Sequence, residues 1–182
     1  MIECRENLFI FEYDIQQSPN LITVYTSLLP TPIGTLVIRA NDQEVYFIGY
    51  PNEIPEELPN LLTEKAAHQL TEYFDGKRSR FDFPIKQPGT DFQQTVWAEL
   101  IAIEAGNPIS YAALSKKMNN PLAIRAIASA NGKNNLMIVV PCHRVIGSDG
   151  QLVGYAGGLW RKKWLLDHES VMTGSGQSVM KL

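Results

Sequence analysis

The chain has 182 residues, of which 45% are hydrophobic and 19% are charged, a composition typical of a soluble globular protein of one or two domains. No apolar run approaches the roughly 18 residues that a membrane-spanning helix needs, and acids stand near the N-terminus where a secretory signal would carry bases. Only two cysteines, Cys4 and Cys142, are present, which excludes a disulfide scaffold and favours a reduced, cytoplasmic protein.

The net charge of -3 is divided unequally along the chain. Residues 1–109 contain 7 Lys and Arg against 16 Asp and Glu, whereas residues 110–182 contain 9 against 3. A basic half is typical of a surface that binds a polyanion such as nucleic acid. Solvated helix faces produce the same asymmetry, so charge alone leaves both interpretations open. The basic run Arg161–Lys163 is expected to be such a solvated face.

The first half of the chain predicts a small antiparallel sheet followed by one helix. Short alternating segments bounded by turn residues predict three strands, at 22–26, 35–39 and 45–48. Apolar residues at four-residue spacing predict a helix over 62–74. The segment 84–89 contains two prolines and a glycine, which is typical of a linker. We therefore expect a domain boundary there, between residues 1–88 and 89–182.

The second half predicts mainly helices, at 92–103, 110–118, 122–130 and 159–169. Thr90 or Asp91 is the expected N-cap of the first of these helices, and Ser110 that of the second. Asn120 followed by Pro121 is a typical start for the third. Because a short turn joins the second helix to the third, the pair is a helix-turn-helix candidate. The fold class is therefore expected to be α+β.

The strongest chemical signal is Cys142, which follows a β-branched apolar run and precedes His143. Cysteine reacts as the thiolate and a free thiol has a pKa of about 8.5, so a reactive cysteine needs a proton acceptor. Neighbours on an extended segment point to opposite sides, so the thiol and His143 interact either directly or through a water that lies between them. Glu169 is a candidate for the carboxylate that orients the histidine. The alternative is a buried, inert cysteine beside a core histidine.

Several motifs of the second half occur together in one known family. They are Ile109–Tyr111, Ala130–Asn134, Pro141–Val145, Gly154–Gly158 and Arg161–Glu169. With this combination the chain resembles the O6-alkylguanine-DNA alkyltransferases, also called methylated-DNA–protein-cysteine methyltransferases, from about residue 92 to residue 169. Before the linker, Thr31–Gly34 and the order of strands and helix resemble the family's ribonuclease-H-like domain. The resemblance implies this small N-terminal domain and a mainly helical, winged-helix-like C-terminal domain with a helix-turn-helix.

The resemblance also implies a role for each matching residue of the reaction. Cys142 is implied to accept an alkyl group from O6 of guanine, in a reaction that consumes the protein after one turnover. His143 is implied to take the thiol proton through a water, while Glu169 orients the histidine. Tyr111 is implied to hydrogen-bond the departing guanine. A further set is implied to brace or line the guanine pocket: Asn134, Val145, Tyr155 and Ala156.

The partner that the resemblance implies is double-stranded alkylated DNA, bound at the minor groove with the damaged base flipped out. Arg125 is implied to fill the gap in the stack, while Ala123, Ala126 and Ser129 are small enough to face the groove. Alanine is also a common interior residue, so a packed core helix fits these residues equally well. The cysteines and histidines are not spaced as zinc ligands. We expect a monomer with no metal, no cofactor and no obligate protein partner, and O4-methylthymine is an additional candidate substrate.

The sequence departs from the family pattern at three places. Asn135 stands where many members have proline, which affects the rigidity of the hinge. Gly157 and Gly158 carry no bulky side chain, which predicts a pocket that accepts alkyl groups larger than methyl. The zinc ligands found in the N-terminal domain of some members are missing from this chain.

Three other functions are weighed against alkyl transfer. A lesion binder of the same architecture recognises alkylated bases without repairing them, but such relatives replace the cysteine that is present here as Cys142. A transcriptional regulator would carry an extra activator domain or dimerisation heptads, which the sequence lacks. A cysteine hydrolase built on Cys142, His143 and Glu169 would need an oxyanion hole and repeated turnover on an ester.

Overall fold

The structure is a computed structural model that describes residues 23–175. Its N-terminal part is an antiparallel sheet with three strands in sequence order: β1 (Tyr25–Thr31), β2 (Gly34–Ala40) and β3 (Val45–Gly49). β1 continues past the predicted strand and through Pro30, which an edge strand tolerates. Gly34 closes the turn into β2 with a φ of +108°, a conformation that favours glycine.

One helix, α1 (Leu61–Phe74), packs against this sheet. It lies where the sequence predicts a helix. Its start is fixed by Asn60 and Thr63, which form a capping box. The Asn60 side chain accepts from Thr63 N at 2.8 Å, and Thr63 Oγ1 accepts from Asn60 N at 3.0 Å. In its last turn α1 carries Tyr73, which is fully buried. This end of the helix faces the second half of the chain.

The predicted linker carries no helix and is tied to both halves of the chain. Val45 N donates to Pro84 O at 2.9 Å, and Gln87 is buried. The helix that follows, α2 (Asp91–Ile101), begins at the predicted N-cap Thr90. It ends shortly before the predicted end at residue 103.

The helix-turn-helix consists of α3 (Tyr111–Lys117) and α4 (Ile124–Gly132). Ser110 caps α3 as predicted, by accepting a backbone N–H of the first turn at 3.1 Å. Ser110 also belongs to the short strand β4 (Ile109–Ser110), which pairs in parallel with β5 (Val145–Ile146). This pairing holds the start of α3 next to the chain that leaves the cysteine motif.

The start predicted for α4 is wrong. Asn120 is not its N-cap, because the helix begins after Ala123 and no side chain caps it. The chain reverses at Asn119, whose φ is +54°. Asn120 then closes a separate turn by accepting from Ala123 N at 3.0 Å. α4 also runs through Asn131, beyond the predicted end at residue 130.

The segment before Cys142 is not the extended strand that its β-branched residues predict. Ile138 has a φ of +74°, which is rare for a β-branched residue, and it is buried in the core. Cys142–Arg144 then form a short 3-10 helix. Tertiary packing here overrides strand propensity. Cys142 and His143 therefore lie on a tight turn rather than on an extended segment.

The last helix, α5 (Leu159–Thr173), is longer than the predicted 159–169. One hydrophobic core joins it to both halves of the chain, with buried members that include Ile38, Leu70, Leu100, Leu114, Val140 and Leu165. The α+β class predicted from the sequence is confirmed. Within residues 23–175, no helix is both long and apolar enough to span a membrane.

Candidate active site around Cys142

Cys142 lies at the start of the 3-10 turn and is only 4% exposed. Its sulfur accepts a hydrogen bond from Asn134 Nδ2 at 3.2 Å. The same amide nitrogen donates to Val140 O at 2.8 Å. Asn134 is therefore in direct contact with the sulfur, whereas the family resemblance implied only that it braces the turn. Cys4 lies outside the residues that the structure describes.

The Asn134 side chain is fixed by the linker between the two halves. Its Oδ1 accepts from Gln87 Nε2 at 3.2 Å and from Leu136 N at 2.9 Å. Gln87 Oε1 in turn accepts from Asn135 N at 2.8 Å. Gln87 was not predicted as a site residue, since a glutamine between two prolines gives no signal of its own. Gln87 holds the asparagine that contacts the cysteine.

His143 and Glu169 are both fully buried and in contact. The distance from His143 Nε2 to Glu169 Oε1 is 2.9 Å. Arg144 also binds this carboxylate, with Nε 2.9 Å from Oε2 and Nη2 2.8 Å from Oε1. The structure thus brings together the histidine and the carboxylate that the sequence proposed as a pair. Arg144 was not among the predicted site residues, although it stands in the cysteine motif.

Burial and neighbouring charges set the protonation states of this group. Burial raises the pKa of the Cys142 thiol, and the Asn134 hydrogen bond opposes only part of this effect. Burial, with help from Arg144 and Lys162, lowers the pKa of His143, although Glu169 opposes this effect. Burial alone would raise the pKa of Glu169, but His143 and Arg144 hold it well below its usual range. At neutral pH the site therefore holds a thiol, a neutral imidazole and an ionised carboxylate.

The two ring nitrogens of His143 are not equivalent. Nε2 faces Glu169, so in the neutral ring it carries the proton and donates it to the carboxylate. Nδ1 is buried and has no hydrogen-bond partner among the described residues. Nδ1 therefore carries the lone pair that can accept a proton. A histidine whose other nitrogen is held by a carboxylate in this way is suited to act as a general base.

A cavity of about 330 Å³ opens onto Cys142. Tyr111, Tyr155 and Ala156 line it, and Arg125 of α4 also contributes to its wall. Three of these residues were predicted to contact the base, and Arg125 to contact the DNA. A larger cavity, of about 650 Å³, is lined by Pro141 and Arg144 but does not include Cys142.

Asn131, which was not predicted as a site residue, links two groups of this cavity. Its Nδ2 donates to Tyr111 Oη at 2.9 Å and to Cys142 O at 3.2 Å. Because the Tyr111 hydroxyl accepts here, its own hydrogen is left to donate elsewhere. Burial raises the pKa of Tyr111, which keeps this hydrogen in place. The sequence placed Asn131 in the motif Ala130–Asn134 but assigned no role to its side chain.

The outer face of α4 matches the predicted contact surface except at one residue. Arg125, Ala126 and Ser129 are exposed, as a groove-facing surface requires. Ala123 is buried and packs in the hydrophobic core, so it does not share this face. Ala123 is the N-cap residue immediately before α4 and so is not one of the helical residues that form this face. Ala128, which was not predicted, is exposed and lines the cavity.

The prediction of a solvated basic run is wrong for Lys162. This side chain is fully buried, and its Nζ donates to Val145 O at 2.6 Å, to Val153 O at 2.8 Å and to Gly154 O at 3.4 Å. Burial lowers the pKa of Lys162 to about 8, while the nearby Cys142 opposes this effect. Lys162 therefore ties the loop before α5, which includes Val153 and Gly154 and forms part of the cavity wall, to β5. Val145 itself was predicted to line the pocket, but it is buried and does not line the cavity.

Arg161 connects the same loop to the N-terminal sheet. Its guanidinium lies over the rings of Tyr50 and Trp160, 4.3 Å and 4.4 Å from their centroids. Nε donates to Ile33 O at 2.7 Å, and Nη1 donates to Gly157 O at 2.8 Å. Arg161 is therefore partly buried between the two halves and is not a solvated residue either. Within the described part of the chain, no group of histidines, cysteines and carboxylates is arranged to hold a metal ion.

Comparison with known proteins gives matches over nearly all of the described chain. Residues 24–87 match the ribonuclease-like domain of 6-O-methylguanine DNA methyltransferase, and residues 91–171 match the DNA-binding domain of the same family. A methylated-DNA–protein-cysteine methyltransferase of Shigella flexneri is 48% identical over 161 residues, which cover 79% of this chain and 94% of that protein. One of Methanosarcina barkeri is 38% identical over 153 residues, with 80% and 97% covered.

Solved structures give the same result. The O6-methylguanine methyltransferase of Mycobacterium tuberculosis has a TM-score of 0.74 and 36% identity, over 82% of this chain and 94% of that one. The protein OGT of the same organism, in complex with DNA, has a TM-score of 0.75 at the same identity and coverage.

Proposed function

The chain belongs to the 6-O-methylguanine DNA methyltransferase family, and we propose that it repairs DNA by moving the alkyl group of O6-alkylguanine to Cys142. The observation that carries this assignment is the position of the sulfur at the wall of a cavity, with a buried histidine and carboxylate behind it. Cys142 is a methyl acceptor that is protonated at rest and becomes a nucleophile when a base acts on it.

The proton of the thiol passes to His143. Because Nε2 of the ring donates to Glu169, the free Nδ1 accepts the proton, through a water as the family resemblance implies. The ionised Glu169 then stabilises the imidazolium that forms. Asn134 stabilises the developing thiolate through its hydrogen bond to the sulfur.

Transfer is a displacement at the alkyl carbon. The bond from Cys142 Sγ to carbon forms as the bond from carbon to O6 breaks, and the electron pair remains on guanine. Tyr111 Oη, whose hydrogen is free to donate, stabilises the leaving purine. Guanine then takes up a proton from its surroundings, and His143 returns its own to solvent. The product is a thioether that no side chain of the site can cleave, so each molecule reacts once.

The base reaches Cys142 only if it leaves the double helix, which costs a few kcal/mol in lost stacking. Arg125 lines the cavity and is exposed on α4, so it is suited to fill the gap left by the base. Exposed small residues beside it, Ala126 and Ser129, allow α4 to lie in the minor groove. Contacts of this kind mostly involve the backbone and read little sequence.

The loop before α5 determines which alkyl groups fit. Tyr155 and Ala156 form part of the cavity wall. A Cβ at position 157 would come within 2.8 Å of the Tyr155 ring, so Gly157 lets this ring lie close to the loop. We propose that the site accepts groups larger than methyl. An oligonucleotide with O6-benzylguanine should alkylate Cys142, and failure of this reaction beside a working methyl substrate would contradict the proposal. O4-Methylthymine is a further candidate substrate.

We further propose that the protein works as a monomer in the reducing cytoplasm, without metal or cofactor, and that its domains meet at residues 88 and 89. A single unpaired thiol as the reacting group supports the reducing location. The separate matches of residues 24–87 and 91–171 support this boundary.

The decisive test is mass spectrometry of the protein after incubation with a duplex that bears one O6-methylguanine. We expect one added methyl on the peptide that contains Cys142, one guanine restored per protein molecule, and no transfer by Cys142→Ser. The Cys4→Ser variant is the matched control and should react fully. A methyl on Cys4 would contradict the assignment. Repeated turnover, or cleavage of an ester, would indicate a cysteine hydrolase, and binding without transfer would indicate a lesion binder.

A further inference from the structure

The N-terminal half contributes one side chain to the buried carboxylate of the active site. Tyr73, in the last turn of α1, donates from its hydroxyl to Glu169 Oε1 at 2.9 Å. The two residues are 96 positions apart in the chain, and both are fully buried. Nothing in the resemblance or in the sequence motifs assigns a role to Tyr73.

The two oxygens of Glu169 have different partners. Oε2 accepts from Arg144 Nε at 2.9 Å and from Gly106 N at 3.3 Å. Oε1 accepts from Tyr73, from Arg144 Nη2 and from His143. Tyr73 and His143 therefore share one oxygen. A donor that shares an oxygen weakens the attraction of that oxygen for the other donor, since the same negative charge stabilises both.

We propose that Tyr73 is a positioning residue for alkyl transfer, through which the N-terminal half orients Glu169 and limits how strongly this carboxylate attracts a proton to His143. The inference rests on the proposed function of Cys142. Burial, Arg144 and Lys162 already favour the neutral form of His143, and the hydrogen bond from Tyr73 to Oε1 adds to this effect. Without the tyrosine, the carboxylate would favour the imidazolium more strongly, and an imidazolium has no lone pair for the thiol proton.

Other charged and titratable groups also face this pair. Arg144, on the turn itself, and Lys162, on α5, both oppose a positive charge on His143. His168 of α5 lies against Tyr73, with its ring 5.3 Å from the tyrosine ring and Nε2 2.8 Å from Tyr73 O. Tyr155 also interacts electrostatically with Glu169. Among these residues, only Tyr73 and Arg144 donate a side-chain hydrogen bond to Glu169 besides His143.

A purely structural role for Tyr73 predicts a different behaviour. The ring packs against Phe74, Phe81 and His168. Tyr73→Phe keeps this ring and removes only the hydroxyl. If packing alone matters, the variant either reacts normally or loses the same fraction of its rate at every pH. If the hydroxyl limits proton attraction, the pH dependence of the reaction changes.

The experiment measures the rate of methyl transfer from a duplex with one O6-methylguanine as a function of pH, in a Cys4→Ser background. In Tyr73→Phe we expect the acid limb of the profile, where His143 becomes protonated, to move to higher pH by about half a unit to one unit. The rate on the alkaline side should stay within about twofold of the parent. Tyr46→Phe, which removes a half-buried hydroxyl from β3, is the matched control and should leave the limb unmoved.

Two further measurements keep the test decisive. A nuclear magnetic resonance titration of 15N-labelled histidine reports the protonation of His143 without any substrate, and should show the same upward shift in Tyr73→Phe. Replacement of Tyr73 by 3-fluorotyrosine, whose more acidic hydroxyl is a stronger donor, should move the limb to lower pH. This second variant decides the question if Tyr73→Phe does not fold.

An unmoved limb in the folded variants would overturn the inference, whether the rate is unchanged or lowered equally at every pH. The parent protein separates this result from a failure of the proposed function. If the parent transfers no methyl group, the function itself is wrong. If the parent transfers it and only the expected shift is missing, the role of Tyr73 alone is wrong.

Discussion

Asn134 donates a hydrogen bond of 3.2 Å from its side-chain amide to the sulfur of Cys142. A donor of this kind stabilises the thiolate more than the thiol, and it counteracts part of the increase in pKa that burial causes. The asparagine thus acts on the reacting atom, and Gln87 of the linker holds it there. The chemistry at Cys142 consequently depends on a residue outside the DNA-binding half.

Removal of this donor should slow the thiol reaction in a pH-dependent way. For Asn134→Ala we expect about a tenfold slower alkylation of Cys142 near neutral pH, since one unit of thiol pKa changes the thiolate fraction tenfold. The difference should shrink as the pH rises and the thiol ionises without help. The measurement is the rate of iodoacetamide labelling against pH in a Cys4→Ser background. Asn135→Ala, which changes an exposed neighbour, should behave as the parent, and a deficit that is equal at every pH would contradict this role.

Glu169 should stabilise the fold above its ordinary pKa and lose this effect in acid. Its pKa is depressed in the folded state, so the contribution is present above about pH 4.5, the value of an unperturbed glutamate, and is lost as the pH falls toward the folded value. Glu169→Gln leaves Arg144 buried and unpaired, which should cost about 3–5 kcal/mol near neutral pH. Urea unfolding at neutral and acidic pH should show this cost decreasing in acid.

The control for this prediction lies on the same helix. Asp167→Asn breaks a partly exposed pair with Lys163, 2.8 Å apart, and should change the free energy of unfolding by less than about 1 kcal/mol. Equal losses of unfolding free energy in the two variants would show that the buried carboxylate of Glu169 stabilises the fold no more than the carboxylate of Asp167 does.

Lys162 should make the fold more stable as the pH rises from about 8 to about 10.5. The folded protein holds the pKa of this lysine at about 8, below the unperturbed 10.5. Between these values the unfolded chain is protonated and the folded one is not, so stability increases with pH, by roughly 2 kcal/mol over the interval. Below about pH 8 the contribution is constant. Lys162→Met should lack this increase, whereas Lys163→Met should retain it, and unfolding by denaturant across this range provides the measurement.

Arg125 should matter for the duplex and not for the reaction itself. It is exposed and lines the cavity, so Arg125→Ala should slow transfer from a damaged duplex about tenfold, because about 1.4 kcal/mol that offsets base extrusion is lost. Transfer from the free O6-alkylguanine base should change less than about twofold, since no base is extruded. Arg39→Ala, on the N-terminal sheet over Phe47, is the control. A deficit with the free base would instead place Arg125 in the chemistry.

The sequence predicted the elements whose signals are local. α2 and α3 begin at Thr90 and Ser110 because a side chain that caps a helix lies next to the residues it caps. The pairing of His143 with Glu169 could be predicted because the two motifs that contain these residues resemble those of a known family. The turn at Ile138 could not be predicted from the sequence, since a β-branched run favours a strand and only the surrounding core imposes a positive φ.

The missed site residues have partners far away in the chain. Tyr73 meets Glu169 across 96 positions, and Gln87 meets Asn134 across 47. Lys162 is buried because three backbone carbonyl oxygens surround its ammonium. A sequence shows only that such a residue is charged or polar. Its burial depends on which backbone groups the fold brings to it.

The near-complete burial of Cys142 affects how the protein survives before it meets damage. Peroxide attacks a thiolate that is accessible to solvent, and the sulfinic and sulfonic acids that follow are not reversed by ordinary reductants. Here Cys142 as a residue is 4% exposed, and burial raises the pKa of its thiol, so the sulfur is protonated at rest. A molecule that reacts only once thereby keeps its sulfur reduced during long idle periods, at the cost of needing a bound base and a proton acceptor to activate it.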